Sequence, residues 1–247
     1  MEKIAIISDI HSNLTALDAV LKDIAKRRIK RIVCLGDLVG KGPQPVACID
    51  RVRDKCEIVL QGNWDDGIGA EQNNPNDAWQ QEQIGAERIR YLAELPFSYD
   101  LLMSGKLIRM FHASPESVYI RVKRKDPKEA KLGLFANTPR TGTPEDGRTP
   151  DIVLYGDVHT PYMQTFKSRG LTLWNVGSVG VPYDGIPMPS YVIIEGTPGD
   201  LPAPISVQHV RVPYDIEQAV LAAQQSGMPM PGQERFIAEI RTAISHK

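Results

Sequence analysis

The chain has 247 residues, of which 42% are hydrophobic and 24% charged, and its 29 basic and 30 acidic side chains leave a formal net charge of −1. This balance is typical of a globular protein, and it argues against general nucleic-acid binding and against a polybasic membrane surface, both of which need excess lysine and arginine. The three cysteines are too few and too irregularly spaced for a disulfide framework or a zinc ribbon. We therefore expect a protein of the reducing cytoplasm.

The hydropathy pattern predicts neither export nor membrane insertion. The first apolar run, at residues 4–7, stops at Ser8 and Asp9 and is far shorter than the apolar part of a signal peptide. No later stretch approaches the roughly 18 apolar residues that a membrane-spanning helix needs. Because no linker-like segment interrupts the first 112 residues, we expect a single domain over residues 1–247.

The first third of the chain alternates strand and helix patterns. Three continuous apolar runs predict short strands buried on both faces, at residues 4–7, 31–35 and 58–60. Helical spacing of apolar residues follows at residues 14–24, with Ser12 or Asn13 as the cap, and again at residues 46–52. This β-α-β-α-β order predicts parallel strands with right-handed connections.

The later part of the chain has a different texture. A polar-faced helix is predicted at residues 77–94. Short strands, mostly antiparallel, are predicted at residues 99–103, 107–111, 152–155, 163–166, 171–175, 190–194 and 207–212. A helix start at residues 126–129, a loop at residues 138–150 and two helices at residues 215–227 and 233–244 complete the pattern. We expect two packed sheets with helices outside.

Potential metal ligands follow the predicted strands directly. They are the carboxylates of Asp9, Asp37 and Asp157, the imidazoles of His11, His112 and His159, and the amide of Asn63. Because ligands of open α/β sheets bind at the carboxyl ends of the strands, we expect these side chains to converge. Together they form a donor set for two divalent cations. Each alone is more often a helix cap, a turn residue or a surface residue, so the coincidence is what favours a metal site.

Five short blocks carry these residues: Asp9-Ile10-His11, Gly36-Asp37, Gly62-Asn63-Trp64-Asp65, His112-Ala113-Ser114 and Gly156-Asp157-Val158-His159. In order and spacing they resemble the blocks of the calcineurin-like metallophosphoesterase superfamily. The match covers residues 4–183, and residues 175–180 resemble a segment of its small bacterial phosphodiesterase branch. The implied fold is α/β, or α+β in some schemes: a four-layer αββα sandwich of two mixed sheets flanked by helices, which residues 190–247 would complete.

The resemblance also implies roles for these residues. Asp9, His11 and His159 would bind the first metal, Asp37 would bridge the two ions, and Asn63 and His112 would hold the second. The implied cofactors are two divalent metal ions, manganese first, with iron, nickel or zinc as alternatives. The implied reaction is hydrolysis of a phosphate ester by a hydroxide that bridges the metals, with Asp37 and Asn63 as catalytic residues.

The sequence departs from the family pattern at two positions. Asp157 stands where the family usually has a histidine, so the second metal would gain a harder ligand that favours manganese or iron, or else the second site is weak. Trp64 stands where the family has the histidine usually assigned as general acid. Because general acid catalysis contributes about 10²–10⁴-fold, its loss disfavours alkyl monoesters and favours diesters or aryl esters.

Candidate substrate contacts adjoin the predicted metal ligands in the sequence. The candidates are Asn13, Trp64 and Asp65. Two roles stay open for Trp64, namely stacking on the substrate and packing at the pocket rim. Residues 121–131 hold six basic side chains against two acidic ones; they would attract a phosphorylated substrate, although a solvated helix face is the commoner role of such a segment.

We therefore expect a cytoplasmic, metal-dependent phosphoesterase that acts on a small phosphorylated substrate, with phosphodiesters preferred. A protein phosphatase or a dinucleoside polyphosphate hydrolase of the same superfamily is the alternative within this class. A non-catalytic binding or scaffold protein with a degenerate site is the alternative of another class, as in the retromer subunit that resembles this branch. A dinucleotide-binding fold is excluded because no glycine-rich turn follows the first strand. The oligomeric state stays open.

Overall fold

The structure is a computed structural model that describes residues 1–246. Over these residues the strands β1–β10 are Glu2–Ile7, Arg31–Cys34, Ile58–Val59, Ser98–Met103, Lys106–Phe111, Ile152–Tyr155, Tyr162–Phe166, Leu171–Asn175, Ser190–Gly196 and Ser206–Arg211. The helices α1–α7 are Leu14–Lys26, Pro45–Lys55, Asn63–Gly67, Pro75–Ala93, Lys128–Gly133, Ile216–Gln225 and Met230–Thr242. In this part of the chain, no helix is long and apolar enough to cross a membrane.

The strands form two five-stranded sheets, each of mixed direction. The first sheet has the order β10-β9-β1-β2-β3, in which β1, β2 and β3 are parallel as predicted and β9 runs antiparallel to β1 and β10. The second sheet has the order β4-β5-β6-β8-β7, with β5, β6 and β8 parallel. The predicted architecture of two mixed sheets flanked by helices is confirmed.

The alternation of side chains along β1 shows how the layers pack. Ile4 and Ile6 point towards the second sheet, where they join the core between the sheets. Ala5 and Ile7 point the other way, towards α1 and α2. All four are fully buried, and burying an isoleucine side chain contributes about 1.5–3 kcal/mol. A one-residue shift of this strand would exchange the two faces, so the apolar pattern fixes its register.

Most predicted helices are present, with three differences. The short helix α3 was not predicted, because five residues are too few to show a helical period. Helix α4 is interrupted at Gly85, whose φ of 69° is not helical. Helix α7 begins at Met230, three residues before its predicted start, because Pro231 fits the first turn of a helix.

Candidate metal centre

The candidate ligands lie on sharply bent backbone just beyond the strand ends. Asp9, His11, Asp37, Asp157 and His159 all have left-handed backbone, with φ between 46° and 64°. Such a conformation costs about 1–3 kcal/mol at a residue other than glycine, and it persists only where the surroundings enforce it. Here main-chain hydrogen bonds enforce it, among them Asp9 N–H to the Gly36 carbonyl at 2.9 Å and His11 N–H to the Asp37 carbonyl at 2.9 Å.

Two glycines let the loops approach each other closely. A Cβ atom on Gly62 would collide with the backbone N and Oδ1 of Asp37. A Cβ atom on Gly156 would collide with the side chains of Ser8 and Asp9. The glycines that precede Asn63 and Asp157 are therefore required for the loops to pack around the carboxylates.

The three imidazoles are oriented in the same way. The Nδ1 atoms of His11, His112 and His159 lie 2.9, 2.9 and 2.6 Å from the carbonyl oxygens of Val39, Leu35 and Val181. A carbonyl can only accept, so each Nδ1 carries a hydrogen. This arrangement fixes the tautomer of metal-binding histidines and turns Nε2 towards the metal.

The Nε2 atoms of His11 and His159 lie only 3.1 Å apart. With the hydrogens on Nδ1, the two nitrogens face each other with their lone pairs, which is unfavourable unless a cation lies between them. Asp9 Oδ1 lies 3.2 Å from His159 Nε2 and, within residues 1–246, is a buried acceptor with no hydrogen-bond partner. Together with Asp9, the two imidazoles thus fit a divalent cation.

A second group of ligand atoms adjoins the first. Asp37 Oδ2 lies 3.5 Å from His11 Nε2 and 3.4 Å from His112 Nε2, between the imidazoles of the two groups. Asn63 Oδ1 lies 3.1 Å from His112 Nε2. Asp9, Asp37 and His112 also have ligand atoms within reach of one cation. The structure therefore brings six of the seven predicted ligands together around two adjacent positions.

The protonation states follow from burial and from neighbouring charges. Burial would raise the pKa of Asp9, but the electrostatic effect of the neighbouring His159 outweighs burial and lowers this pKa. Burial, together with His159, holds the pKa of His11 well below its usual value. Burial would also lower the pKa of His112, but the Asp37 carboxylate outweighs it and raises this pKa to about 10.

The seventh predicted ligand, Asp157, is held by an arginine. Its Oδ1 lies 4.0 Å from His112 Nε2, outside the two compact groups. Arg121 donates to both of its carboxylate oxygens, through Nε at 2.8 Å and Nη2 at 2.7 Å. The pair is formally neutral, like the histidine that the family usually has here, so Asp157 adds less negative charge to the second metal position than the sequence suggested.

Two of the predicted substrate contacts are corrected by the structure. Asp65 is 1% exposed, and its oxygens accept three backbone N–H groups, those of Asp37, Leu38 and Gly62. It therefore holds the two ligand loops together. Asn13 is also 1% exposed; its Oδ1 caps α1, and its Nδ2 donates to the Gly180 carbonyl at 2.8 Å. Neither side chain has a polar group free for a substrate.

The third predicted substrate contact, Trp64, lies beside the centre. Its backbone N–H donates to Asp37 Oδ1 at 2.9 Å, and its ring packs edge-on against His11 with 5.8 Å between the ring centroids. The ring also lines a cavity next to the centre. Trp64 thus packs against His11, a candidate metal ligand, and also exposes part of its ring to the cavity.

Several residues near the centre were not predicted from the sequence. Tyr183 stacks on His159 with 4.6 Å between the ring centroids, and its hydroxyl donates to Glu239 of α7 at 2.7 Å. Lys41 donates to that hydroxyl at 3.0 Å. One signal was available, since Lys41 lies between two glycines and is the only charged residue of the segment 38–45. The contacts of Lys41 with Tyr183 and of Tyr183 with Glu239 could not be predicted, because these residues are far apart in the sequence.

Residues 3–197 match the family model of the calcineurin-like phosphoesterase superfamily domain. The chain belongs to this superfamily. The predicted family is thereby confirmed, and superfamily membership supports a phosphoesterase with a divalent metal site formed by the ligand groups above.

Similar proteins extend over nearly the whole of this chain. An uncharacterized protein of Methanocaldococcus jannaschii is 32% identical, over 92% of this chain and 93% of that protein. The crystal structure of a metallophosphoesterase from Sphaerobacter thermophilus is 27% identical with a TM-score of 0.76, covering 98% of this chain and 100% of that one. A hypothetical protein from Pyrococcus horikoshii has the same TM-score at 17% identity, with both chains fully covered, which shows the shared fold.

Proposed function

We propose that the protein is a metal-dependent phosphodiesterase that hydrolyses its substrate at two adjacent divalent cations, with manganese as the preferred metal. The observation that carries this proposal is the pair of facing Nε2 atoms, 3.1 Å apart, beside the unpartnered Asp9 Oδ1. Three buried acceptors that face one another without a donor are unfavourable, and a cation among them removes this cost. When bound, the two cations would acidify a water molecule and neutralise charge on the phosphoryl group.

The side chains around the cations are suited to holding a phosphoryl group. Asn63 uses its Oδ1 towards His112, which leaves its Nδ2 to donate to a phosphoryl oxygen. Arg121 uses Nε and Nη2 for Asp157, which leaves Nη1 for a second phosphoryl oxygen. Charge-assisted hydrogen bonds of this kind position the phosphorus for attack along the line of the leaving bond.

The preference for diesters rests on Trp64. The indole N–H is far too weak an acid to protonate a leaving alkoxide. The Trp64 ring packs against His11 and lines the cavity. Substrates with strongly basic leaving groups and no other proton donor are therefore disfavoured.

The compartment that we propose is the cytoplasm. Cys34, Cys48 and Cys56 are free thiols, which fits a reducing environment.

Two substrates with the same chromophore test the proposal. Protein freed of metal and then loaded with Mn²⁺ should hydrolyse bis-p-nitrophenyl phosphate, a diester, with a higher kcat/KM than p-nitrophenyl phosphate, a monoester. A chelator should abolish both activities, and parallel loading with Ni²⁺, Co²⁺ and Zn²⁺ ranks the metals. A lack of turnover on both substrates with every metal would contradict the enzyme assignment, and a faster monoester would contradict the preference.

A further inference from the structure

A cavity of about 520 Å³ opens beside the candidate metal centre. We call it the Lys41 cavity. Its walls include Lys41, Trp64 and the first turns of two helices, residues 74–77 of α4 and residues 229–236 of α7. Cavities of roughly 300–1,000 Å³ are the usual size of small-molecule sites. No candidate metal ligand lines this wall; Trp64, which lines the cavity and packs edge-on against His11, joins the cavity to the centre.

Lys41 connects the cavity to the centre through a closed ring of contacts. The rings of His11 and His159 are 4.8 Å apart, and those of His159 and Tyr183 are 4.6 Å apart. Lys41 Nζ lies 5.4 Å from the Tyr183 ring centroid and 5.5 Å from the Trp64 ring centroid. The Trp64 and His11 ring centroids are 5.8 Å apart, which closes the ring of contacts. The ammonium group thus contacts the two aromatic rings that pack on the imidazoles of His159 and His11.

The position of Lys41 is enforced by its loop. Its backbone is left-handed, with φ of 61°, which is unfavourable for lysine. The buried Gln80 of α4 holds the loop from both sides: its Oε1 accepts Gly40 N–H at 2.8 Å, and its Nε2 donates to the Gly42 carbonyl at 2.9 Å. A surface lysine would need no such support, so this geometry favours a function for the side chain.

The ammonium group has unused donors. It makes one hydrogen bond, to the Tyr183 hydroxyl, and within residues 1–246 no carboxylate lies within ion-pair distance of it. Burial lowers the pKa of Lys41, partly opposed by the charge of Glu239. Two N–H donors remain for a ligand, and an anion would offset the cost of burying the charge.

The rest of the wall suits a ligand that is both anionic and aromatic. The amino-terminal turns of α4 and α7 add positive partial charge, which favours a phosphate group. Trp64 offers an aromatic surface. The carboxylates of Asp77 and Glu234 also line the wall and are hydrogen-bond acceptors. A purely anionic ligand would leave these acceptors unsatisfied, whereas a heterocyclic base carries N–H groups that can pair with them.

We propose that the Lys41 cavity binds a nucleotide, with its base in contact with Trp64 and its own phosphate on Lys41, while a second phosphate of the same molecule is the diester hydrolysed at the metal centre. This inference rests on the proposed function for the hydrolytic step and names its substrate class. Nucleotide binding itself needs only the cavity.

The first experiment measures binding to metal-free protein by calorimetry, with thymidine 3′,5′-bisphosphate as the probe. Lys41→Met removes the charge and keeps the length of the side chain, so it should weaken binding about 10- to 100-fold, as expected for a hydrogen bond to a charged group. Lys41→Arg keeps the charge and should retain most of the affinity. Lys30→Met, at an exposed lysine outside the cavity, is the matched control and should bind as the wild type does.

The second experiment compares two diester substrates on Mn²⁺-loaded protein, the 5′-p-nitrophenyl phosphate of thymidine with and without a 3′-phosphate. The wild type should show a higher kcat/KM for the 3′-phosphorylated ester, and Lys41→Met should lose that preference. An equal kcat/KM for both esters in the wild type, with bis-p-nitrophenyl phosphate still hydrolysed, would overturn the nucleotide inference and leave the proposed function intact. Lys41-dependent binding without turnover of any ester would support the cavity and contradict the proposed function.

Discussion

His112 differs from the other candidate imidazole ligands in its expected charge. The Asp37 carboxylate outweighs burial and raises its pKa to about 10, so in the metal-free protein it is an imidazolium at neutral pH. Because its Nδ1 already donates to Leu35, the additional proton lies on Nε2, where a metal would bind. This raised pKa stabilises the metal-free fold fully below pH 6.5, the usual histidine value, and the contribution is lost as the pH rises towards 10.

Metal binding should therefore release a proton from His112. At neutral pH we expect about one proton per protein when Mn²⁺ fills both positions, and an apparent affinity that increases with pH up to the pKa of His112. Calorimetric titration in two buffers of different ionisation enthalpy measures the release. Binding heats that do not depend on the buffer would contradict it, and a His112→Asn variant should show no such release.

Arg121 is the hydrogen-bond partner of the buried Asp157 carboxylate. Asp157 is 3% exposed, so Arg121→Met leaves a buried carboxylate without its partner. We expect the free energy of unfolding of the metal-free protein to fall by about 1–3 kcal/mol, and Mn²⁺ to restore more stability in the variant than it adds to the wild type. Urea denaturation with and without Mn²⁺ measures both quantities.

Arg124→Met is the control for this comparison, since Arg124 is an exposed arginine of the same basic segment. Its unfolding free energy should stay within about 0.5 kcal/mol of the wild type. If Arg121→Met and Arg124→Met behaved alike with and without metal, the interpretation of Asp157 as a charge held for the second metal would be wrong.

At the scale of elements, the site depends on how closely the loop before α3 meets the loop after β2. Gly62→Ala would place a methyl group against Asp37, and we expect it to cost about 1–3 kcal/mol of stability and to weaken Mn²⁺ binding. Gly133→Ala in α5 is the matched control, because no atom lies within 4 Å of its added Cβ. It should leave stability unchanged or raise it by about 0.5–1 kcal/mol. Thermal unfolding and metal titration of the two variants would show equal effects if the close approach were unimportant.

The elements that could be predicted are those with a local signal. The strands β1 and β2 show continuous apolar runs. Of the two predicted caps of α1, Ser12 and Asn13, the structure has Asn13, whose Oδ1 accepts Ala16 N–H at 3.2 Å. Helix α3 escaped prediction because its start depends on a contact 28 residues away in sequence, in which Asp65 accepts the backbone N–H of Asp37. A contact between residues so far apart in sequence cannot be predicted from the local hydropathy period.

The same distinction holds for the whole molecule. Candidate ligands could be recognised because each directly follows a strand, and strand ends of one sheet meet. The partners of those ligands could not, because Arg121 reaches Asp157 across 36 residues and Lys41 reaches Tyr183 across 142. The first pair joins the segments after β5 and β6, and the second joins the loop after β2 to the segment between β8 and β9, so both pairs depend on the tertiary fold.

The metal centre itself joins the two sheets. Asp9 and Asp37 follow strands β1 and β2 of the first sheet, whereas His112 and His159 follow β5 and β6 of the second. Two cations bound among these residues would link the sheets, so Mn²⁺ should stabilise the entire fold and not one loop. By mass action the gain is about 2.7 kcal/mol at a free metal concentration 100 times the dissociation constant.

The proposed hydrolysis at two cations depends most on Asp37, because its carboxylate lies between His11 and His112. The most direct test is the Mn²⁺-dependent hydrolysis of bis-p-nitrophenyl phosphate by wild type and Asp37→Asn, with the exposed Asp54→Asn as control. We predict that Asp37→Asn lowers kcat/KM by about 100-fold or more and that Asp54→Asn leaves it unchanged. Hydrolysis by Asp37→Asn at the wild-type rate, or wild-type hydrolysis that persists after complete removal of metal, would contradict the proposal that two cations held by Asp37 and its neighbours hydrolyse the substrate.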